Sequence, residues 1–506
     1  MALFIAPLLA QYGALDMPVQ LPDAAMLRSL QYMRSSGLPC VLQVSHALGG
    51  GVERHLQELL KVLQQRAHVC IVRPHVHARQ VLLTLPVYQQ VDEQWQVQTS
   101  THLAFKWPQQ QAQLCEWLQV LGVTRVHVHH VIGFAESFWQ RLCAMPLPLD
   151  VTLHDHSVFT GNPSLLDEQG VFDPAWFAQG IGALPAGDAQ VAQVMQRLAV
   201  HAQRVIVPSQ SLAHVLAQLL PSVHALVRCH PERELLGPYP AVRALPVAPE
   251  QPLKVLCLGM LGIEKGAFAL ARTAALAAQQ SLNIEFVLLG ACHITLPPSV
   301  RCLGLYQDAD LADLIAQQQP HLLWLPAQCP ETWSYTLSAG VYAGLPVLAS
   351  AIGALPERLR GRPLTQLVAH TASAQQWLTA IHTLQQAILE AADKPMQPWQ
   401  PSTYAPFYLQ TPLCCSDTEA RLAHAYLQPV NGVQRTVNDL PHGFSAAQAL
   451  AQRGAGRWRV WLLRGLYVLA RVPVAAYVLR YVPYRWQRRL KRAVSRAPLD
   501  SRTLRK

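Results

Sequence analysis

Residues 320–362 read PHLLWLPAQCPETWSYTLSAGVYAGLPVLASAIGALPERLRGR, and they decide the fold class that we predict. An apolar run at 322–325 is followed by a polar loop and a segment of helical periodicity, and a second apolar run begins at Pro346. Short apolar runs that alternate with helical segments are typical of parallel βα units. The stretch therefore predicts a strand, a loop, a helix and a second strand of a doubly wound parallel sheet.

The same alternation continues along the chain in both directions. The predicted strands cover residues 41–45, 69–72, 125–129, 151–154, 205–208, 253–258, 284–289, 301–303, 322–325 and 346–349. The predicted helices cover residues 52–65, 109–121, 190–203, 267–279, 308–318, 335–343 and 373–391. Two doubly wound sheets that face each other form a cleft at the carboxyl ends of their strands. We therefore predict an α/β protein of two Rossmann-like domains facing a cleft.

A proline-rich stretch, residues 229–252, separates the two series of elements. Prolines at this density interrupt both helices and sheets, so the linker between the domains is placed here. The predicted organisation is an N-terminal extension, a first domain, a linker, a second domain, a return segment and a basic helical tail. Their bounds are residues 1–36, 37–235, 236–252, 253–395, 396–440 and 441–506.

The composition is that of a folded protein from a reducing compartment. The hydrophobic fraction is 51% and the charged fraction 14%, which argues against a disordered chain. The eleven cysteines are scattered and form no CxxC pair, so neither a disulfide framework nor a zinc finger is predicted. The first 18 residues contain a short apolar run without a basic region or a clear cleavage site. We expect an uncleaved extension and a cytoplasmic protein.

Two loops at predicted strand ends have the composition of anion-binding sites. The strand at 41–45 leads into a glycine triplet, 49–51, before a helix begins; the strand at 253–258 ends at Gly259, and Lys265 precedes the next helix. Glycine lets the backbone approach a ligand closely, and a helix start offers unpaired N–H groups to an anion. A tight turn and a surface lysine remain the structural alternatives, and the spacing is not that of a Walker A loop.

The quoted stretch also resembles glycosyltransferase family 4, the retaining enzymes of GT-B fold, whose pattern is PE-[TS]-[FWY]-[SG]-x-T-x-x-E-A-x-x-x-G-x-P-V. The matching positions are Pro330, Glu331, Thr332, Trp333, Ser334, Tyr335, Thr336, Leu337, Ser338, Gly344, Pro346 and Val347, continued by Gly353, Pro356 and Glu357. The glycine triplet and Lys265 fall where the family has its glycine loop and its diphosphate lysine. The resemblance covers roughly residues 40–390.

The resemblance implies transfer of a sugar from a nucleotide-sugar donor, bound by the second domain, to an acceptor that meets the first domain. It implies that Glu331 binds donor-sugar hydroxyls, that Lys265 neutralises the leaving diphosphate, and that His154 lies near the sugar as the third catalytic residue. The implied donor-binding residues are Gly50, Gly51, Gly259, Lys265, Glu331, Thr332, Ser334, Tyr335 and Thr336. Neither a metal nor another cofactor is expected, because helix starts and basic side chains stabilise the leaving charge in this family.

Two positions depart from the family pattern. Ala339 replaces the second glutamate, which usually holds the ribose hydroxyls, and Met260 stands where a basic residue often follows the strand glycine. One lost charge-assisted hydrogen bond costs about 1.5–3 kcal/mol, so donor binding should weaken without stopping the chemistry. A non-catalytic GT-B protein that binds a glycan or a partner enzyme is the alternative that these positions favour.

Five histidines in the first half have an alternating spacing that places pairs of them on one strand face: His127, His129, His130, His154 and His156. This spacing leaves a metal site open. The interpretation that we adopt makes His154 a residue of the cleft and the others partly buried polar groups. Asp155 either orients His154 or caps its loop.

The C-terminal tail concentrates the positive charge of the chain. Residues 441–506 hold fifteen Lys and Arg and one acid, a net charge of +14, whereas the rest of the chain has a net charge of −4. Arg457, Arg464 and Arg471 recur every seven residues on one helix face, among aromatic and leucine side chains. An arginine at the bilayer centre costs about 2.5–3.5 kcal/mol, which favours an interfacial helix over a spanning one.

We therefore expect residues 455–496 to bind an anionic membrane surface, which places the protein peripherally on the inner face of the plasma membrane. A solvated basic helix packed on the body is the structural alternative. Nucleic acid is not an expected partner, because the tail lacks an RNA-binding motif and is rich in Trp, Tyr and Leu. A membrane-attached enzyme of the family points to a cell-surface polysaccharide, a lipopolysaccharide or a lipid-linked acceptor.

Overall fold

The computed structural model describes residues 23–399, apart from residues 64–65, 76–78, 247, 249, 393 and 395. The first 22 residues, the return segment from residue 400 onward and the predicted basic tail lie outside the described residues.

The first sheet has eight strands within the described residues. They are β1 (Cys40–Val44), β2 (His68–His75), β3 (Gln80–Val91), β4 (Gln94–Lys106), β5 (Val123–Val128), β6 (Leu149–Thr152), β7 (Arg204–Val207) and β8 (Ala225–Val227). Their order is β4–β3–β2–β1–β5–β6–β7–β8. Neighbours pair in parallel except for the antiparallel pairs β2–β3 and β3–β4. Strand order therefore reverses between β1 and β5, which is where ligands bind in sheets of this kind.

The helices of the first domain connect these strands over both faces of the sheet. They are α1 (Asp23–Ser35), α2 (Gly50–Leu63), α3 (Gln111–Val120), α4 (Glu136–Cys143), α5 (Ser157–Thr160), α6 (Ala175–Gln179), α7 (Ala189–His201), α8 (Gln210–Leu219) and α9 (Glu232–Leu236). Helix α1 falls in the range predicted as an extension, yet it packs against β3 and buries Leu30 and Met33 in the core of the first domain.

The second sheet has six strands, all parallel, in the part of the chain that the structure covers. They are β9 (Leu253–Leu261), β10 (Ile284–Cys292), β11 (Val300–Gly304), β12 (Leu322–Leu325), β13 (Val347–Ser350) and β14 (Thr365–Val368), in the order β11–β10–β9–β12–β13–β14. The helices are α10 (Ala267–Gln279), α11 (Leu311–Gln318), α12 (Tyr335–Tyr342), α13 (Ala354–Leu359) and α14 (Ala374–Ala391). The order reverses between β9 and β12, so a second ligand-binding edge is expected there.

The predicted fold class is confirmed: both domains are Rossmann-like α/β units. Each predicted strand and helix is present, with ends that differ by up to three residues. The long antiparallel hairpin of β3 and β4, and strands β8 and β14, were not predicted. The hairpin turns at Asp92 and Glu93, both with positive φ, without the Asn-Gly or Asp-Gly pair that announces such turns in a sequence.

The packing follows from the strand composition. Strands β1, β5, β6 and β12 are buried along their whole length, as expected for sheets covered on both faces by helices. In the second domain Trp324 and Trp377 are fully buried and lie 5.3 Å apart between ring centroids. None of the helices in the described residues is both long and apolar enough to cross a bilayer.

A buried ion-pair network joins β5, β6 and β7 beneath the first sheet's switch point. The Asp150 carboxylate, which is fully buried, accepts hydrogen bonds from Arg125 at 3.1 Å and from Arg204 at 2.9 and 2.8 Å. Because one carboxylate accepts hydrogen bonds from both guanidinium groups, it stabilises the pairing of β6 with both β5 and β7.

We predict that Asp150→Ala lowers the free energy of unfolding by about 3–5 kcal/mol, because removing one partner of a buried ion pair leaves charge without compensation. Urea unfolding measures the change. The control is Glu116→Ala, which removes an exposed acid on α3 and should alter stability by about 0.5 kcal/mol or less. Equal effects of the two substitutions would contradict the role given to Asp150.

Candidate functional site

The two switch points lie at the same interface between the domains. From the first domain come the glycine triplet after β1 and the histidines that follow β5 and β6; from the second come Lys265 after β9 and the loop after β12. Hydrogen bonds cross between the two sets: Thr332 Oγ1 donates to the carbonyl of His154 at 2.6 Å, and His156 Nε2 donates to the carbonyl of Pro330 at 3.0 Å. At the predicted cleft the two domains are therefore in direct contact.

Lys265 and Glu331 meet at the floor of this cleft. Strand β9 is followed by a short 3-10 turn, Ile263–Lys265, and Lys265 Nζ lies 3.2 Å from Glu331 Oε1. The charge of Glu331 raises the pKa of Lys265, so the amine is a full ammonium at neutral pH. The two residues on which the predicted chemistry most depends thus line one small cavity, together with Ser334 and Thr336.

Two glycines make this approach possible. Gly266 begins α10 with φ +86°, and a Cβ there would overlap the carbonyl of Pro326. Gly353 has φ +60°, and a Cβ there would overlap the backbone of Glu331. The N–H of Ala354 donates a hydrogen bond to the Glu331 carbonyl at 2.7 Å. Only a residue without a side chain lets the Glu331 loop lie this close to its neighbours.

The first turn of α12 lies beside the cavity of Lys265 and Glu331. Ser334 is the N-cap residue, and its Oγ accepts the N–H of Leu337 at 3.4 Å and lies 3.1 Å from the Thr336 hydroxyl. A Cβ on Gly259 would lie 3.1 Å from Thr336, so the end of β9 packs directly on this turn. Helix starts carry unpaired N–H groups and the positive end of the helix dipole, which suits a phosphate group.

Ser334 adopts a positive φ of +84° in this position, a conformation that costs about 1–3 kcal/mol for a residue other than glycine. Arg358 holds the loop there. Its guanidinium donates to the carbonyls of Trp333 at 2.9 Å and Ser334 at 2.8 Å, and it stacks 3.7 Å from the centre of the Trp333 ring. The loop conformation is thus imposed by contacts outside the loop.

Glu232 completes this support from the first half of the chain. Its buried carboxylate accepts hydrogen bonds from Arg358 at 3.1 Å, from the Trp333 indole at 3.1 Å and from the Ser338 hydroxyl. Burial raises the pKa of Glu232 and outweighs the opposing charge of Arg358. Sequence reasoning missed both Glu232 and Arg358, because 126 residues separate them and neither lies in the family pattern.

Tyr335 connects the same turn to the glycine-triplet helix. Its hydroxyl donates to Glu58 Oε2 at 3.0 Å, and the Arg54 guanidinium lies 4.4 Å above its ring. A Cβ on Gly51 would lie 3.8 Å from the ring, so the glycine loop packs against Tyr335. Burial, with the charge of Glu232, raises the pKa of Glu58 to about 7.

His154 lies on the first-domain side of the cleft, as predicted. Its Nε2 is 3.1 Å from Nδ1 of His129. Burial, and then the neighbouring His55 and His129, lower the pKa of His154 well below its ordinary value, so the ring is neutral at pH 7. Asp155 does not hydrogen-bond to it: one carboxylate oxygen accepts the Ser157 N–H at 2.8 Å and the other faces His130 at 3.4 Å. Asp155 therefore caps the loop.

The structure brings together the predicted site residues of both domains. Those at the interface are Gly51, His154, Gly259, Lys265, Glu331, Thr332, Ser334, Tyr335 and Thr336, with Gly50 at the start of α2. Ala339 lies four residues after Tyr335 on α12 and packs, half-buried, against the apolar core. Met260 is half-buried in β9. Sequence reasoning missed Arg54, Glu58 and His55, which share one helix with the glycine loop.

Comparisons with known proteins found solved structures to which this chain is similar at low sequence identity. The chain is 16% identical to sucrose-phosphate synthase from Thermosynechococcus elongatus over 70% of this chain and 94% of that one, with a TM-score of 0.46. It is 14% identical to a glycosyltransferase from Rickettsia africae, over 70% and 92% of the two chains, with a TM-score of 0.42.

A third solved structure similar to this chain is WaaG, a glycosyltransferase involved in lipopolysaccharide biosynthesis. The identity is 13%, over 70% of this chain and 95% of that one, with a TM-score of 0.41. No family model and no curated protein matches the sequence.

Proposed function

We propose that this protein is a retaining glycosyltransferase that moves a sugar from a nucleotide-sugar donor to a cell-surface polysaccharide, lipopolysaccharide or lipid-linked acceptor. The observation that carries the proposal is the 3.2 Å contact between Lys265 Nζ and Glu331 Oε1, beside the first turn of α12 and inside the interface between two Rossmann-like domains. In one cavity, the ammonium and the helix start complement the negative charge of a diphosphate, and the carboxylate can accept hydrogen bonds from the hydroxyls of a sugar.

The charge balance of the cavity supports a diphosphate leaving group. Without a donor, Glu331 is the partner of Lys265. An entering diphosphate can take over the ammonium and the N–H groups of the α12 turn, which frees the Glu331 carboxylate to accept hydrogen bonds from sugar hydroxyls. Negative charge on the diphosphate grows as the glycosidic bond breaks, so Lys265 and the helix start stabilise the transition state more than the bound donor. This chemistry needs no metal ion.

The first domain supplies the other wall of the site. The main-chain carbonyl of His154 accepts a hydrogen bond from Thr332 across the interface, and this contact supports a position of His154 at the sugar end of the donor site. The glycine triplet at the start of α2 offers a backbone surface without side chains, where an acceptor hydroxyl can reach the same face from which the diphosphate leaves. Closure of the two domains over the donor then excludes water.

The membrane part of the proposal rests on the sequence of residues 455–496, which lie outside the described residues. Regularly spaced arginines and aromatic anchors suit an interfacial helix, and the cluster at Arg485, Arg488, Arg489, Lys491 and Arg492 suits anionic headgroups. Peripheral attachment to the inner face of the plasma membrane would bring the cleft to a lipid-linked acceptor.

We predict that Lys265→Ala and Glu331→Gln each lower kcat by about 10²–10³-fold, the usual loss when one group that stabilises a developing charge is removed. The measurement is release of nucleoside diphosphate from a panel of nucleotide sugars, with binding read separately as a rise in melting temperature. The fold should survive, because Lys265 is partly exposed.

Arg301→Ala and Glu285→Gln are the matched controls, since these residues form a surface ion pair of the same domain at 2.7 Å, away from the cavity. They should leave the rate unchanged. Wild-type rates for the Lys265 and Glu331 variants would refute the site. A wild-type chain that binds a donor and forms no product would support the non-catalytic alternative that Ala339 and Met260 favour.

We predict that the burial of Glu58, together with the nearby charge of Glu232, makes stability fall as the pH rises. The pKa of Glu58 is about 7 in the folded protein, against an ordinary value of 4.5. Between these values the folded protein holds a proton that the unfolded chain has lost, so the free energy of unfolding decreases from about pH 5 to pH 7 and then levels off. The contribution is on the order of 3 kcal/mol.

Urea unfolding between pH 5 and pH 8 measures this slope. Glu58→Gln should flatten it, whereas Glu53→Gln should not, because Glu53 lies on the same helix but pairs with Arg73. A Glu58→Gln variant with the wild-type slope would show that another group causes the pH dependence.

We predict that deletion of residues 455–506 releases the protein from anionic membranes. Co-sedimentation with vesicles of phosphatidylglycerol and phosphatidylcholine measures binding, and vesicles of phosphatidylcholine alone serve as the control. Replacing the five clustered basic residues with Gln should weaken binding by about 1 kcal/mol per charge. Equal sedimentation of the truncated and full chains would exclude the tail as the membrane anchor.

A further inference from the structure

Three histidines from different elements, two of them buried and one half-buried, converge at the switch point of the first sheet. His55 lies on α2, His129 follows β5, and His154 follows β6. One ring nitrogen from each lies within 4.8 Å of the others. The ring centroids are 4.8 to 5.4 Å apart, so each ring faces the other two. Sequence spacing alone had joined His129 and His154 with other histidines and had left His55 out.

We propose that His55, His129 and His154 bind one divalent transition-metal ion, with Zn²⁺ as the best fit. Three imidazole nitrogens with an open fourth position are a ligand set that Zn²⁺ commonly accepts. This site shares His154 with the first-domain wall of the proposed donor site but uses neither Lys265 nor Glu331, and the proposed sugar transfer does not require the ion.

The distances are close to those of a coordination shell. Zn–N bonds of about 2.0–2.1 Å at tetrahedral angles place ligand nitrogens about 3.3 Å apart. Nδ1 of His129 and Nε2 of His154 are already 3.1 Å apart. The greatest separation in the trio, within 4.8 Å, closes by a movement of about 1.5 Å, which rotation of the His55 ring about its χ2 angle can provide.

Gln43 fixes the orientation of the His129 ring, as residues next to metal ligands commonly do. Its side-chain oxygen lies 2.7 Å from His129 Nε2, so that nitrogen carries the proton and the Nδ1 lone pair points at the trio. In the metal-free protein His154 Nε2–H then donates to this lone pair. On metal binding the His154 proton moves from Nε2 to Nδ1, so no proton is lost overall and both rings remain neutral.

Two further observations support a cation at this point. Burial lowers the pKa of all three histidines well below their ordinary value, which keeps them in the neutral form that binds metals. The charge of Asp155 acts favourably on a cation next to His154.

Titration calorimetry of the full chain, purified without a polyhistidine tag, tests the proposal. Zn²⁺ should bind at one ion per chain. His55→Gln, His129→Gln and His154→Gln should each weaken binding by about 100-fold or more, and Gln43→Leu by about 10–100-fold, as outer-shell changes do. His46→Gln, next to the trio's neighbour His130, and His224→Gln, on the surface, are controls that should keep wild-type affinity.

A second measurement does not depend on the variants' folding. A wild-type crystal soaked in Zn²⁺ should show an anomalous peak between the three rings. No binding by the wild type, a peak elsewhere, or trio variants that bind as tightly as the two controls would each overturn the proposal. None of these readouts measures sugar transfer, so the metal site and the proposed enzyme stand or fall separately.

Discussion

The cleft depends on one buried ion pair, between Glu232 of the first domain and Arg358 of the second. Taking both charges out of water is costly, and the pair holds only because the carboxylate and the guanidinium each make further hydrogen bonds, to Trp333, Ser334 and Ser338. Those further bonds all end on the loop that carries Glu331 or on the helix after it. The same interaction therefore joins the domains and sets the shape of the loop that carries Glu331.

Backbone strain in that loop is a consequence of this arrangement. Ser334 adopts a positive φ that would relax in an isolated peptide, and the two carbonyl contacts from Arg358 offset its cost. The strained turn points the start of α12 at the cavity that contains Lys265. A helix start and an ammonium that are fixed before any ligand arrives need no reorganisation when charge develops, which is the condition for effective electrostatic stabilisation.

Local pattern predicted much of the fold, and the apolar run of β12 and the helical segment of α10 were predicted with the ends that the structure shows, whereas β9 extends three residues beyond its predicted end. Helix α10, for example, begins after Gly266, where the sequence itself marks the turn. The β3–β4 hairpin was missed because its turn uses Asp92 and Glu93 in place of glycine. The site divides in the same way: Lys265 and Glu331 belong to local motifs, whereas the bond between Glu58 and Tyr335 joins residues 277 positions apart, and no local pattern encodes such a pair.

These long-range pairs offer a physical reason for the alanine at position 339, where the family pattern has a glutamate. Two carboxylates from the first half of the chain reach the same helix, Glu58 at Tyr335 and Glu232 at Ser338. A third carboxylate on this helix would add repulsion to these two. Arg54 pairs with Glu58 at 3.2 Å and Arg358 with Glu232, so both charges are compensated within the interface. The ammonium of Lys265 faces Glu331; in the proposed reaction a donor sugar would engage this carboxylate, and the ammonium would then bind the diphosphate.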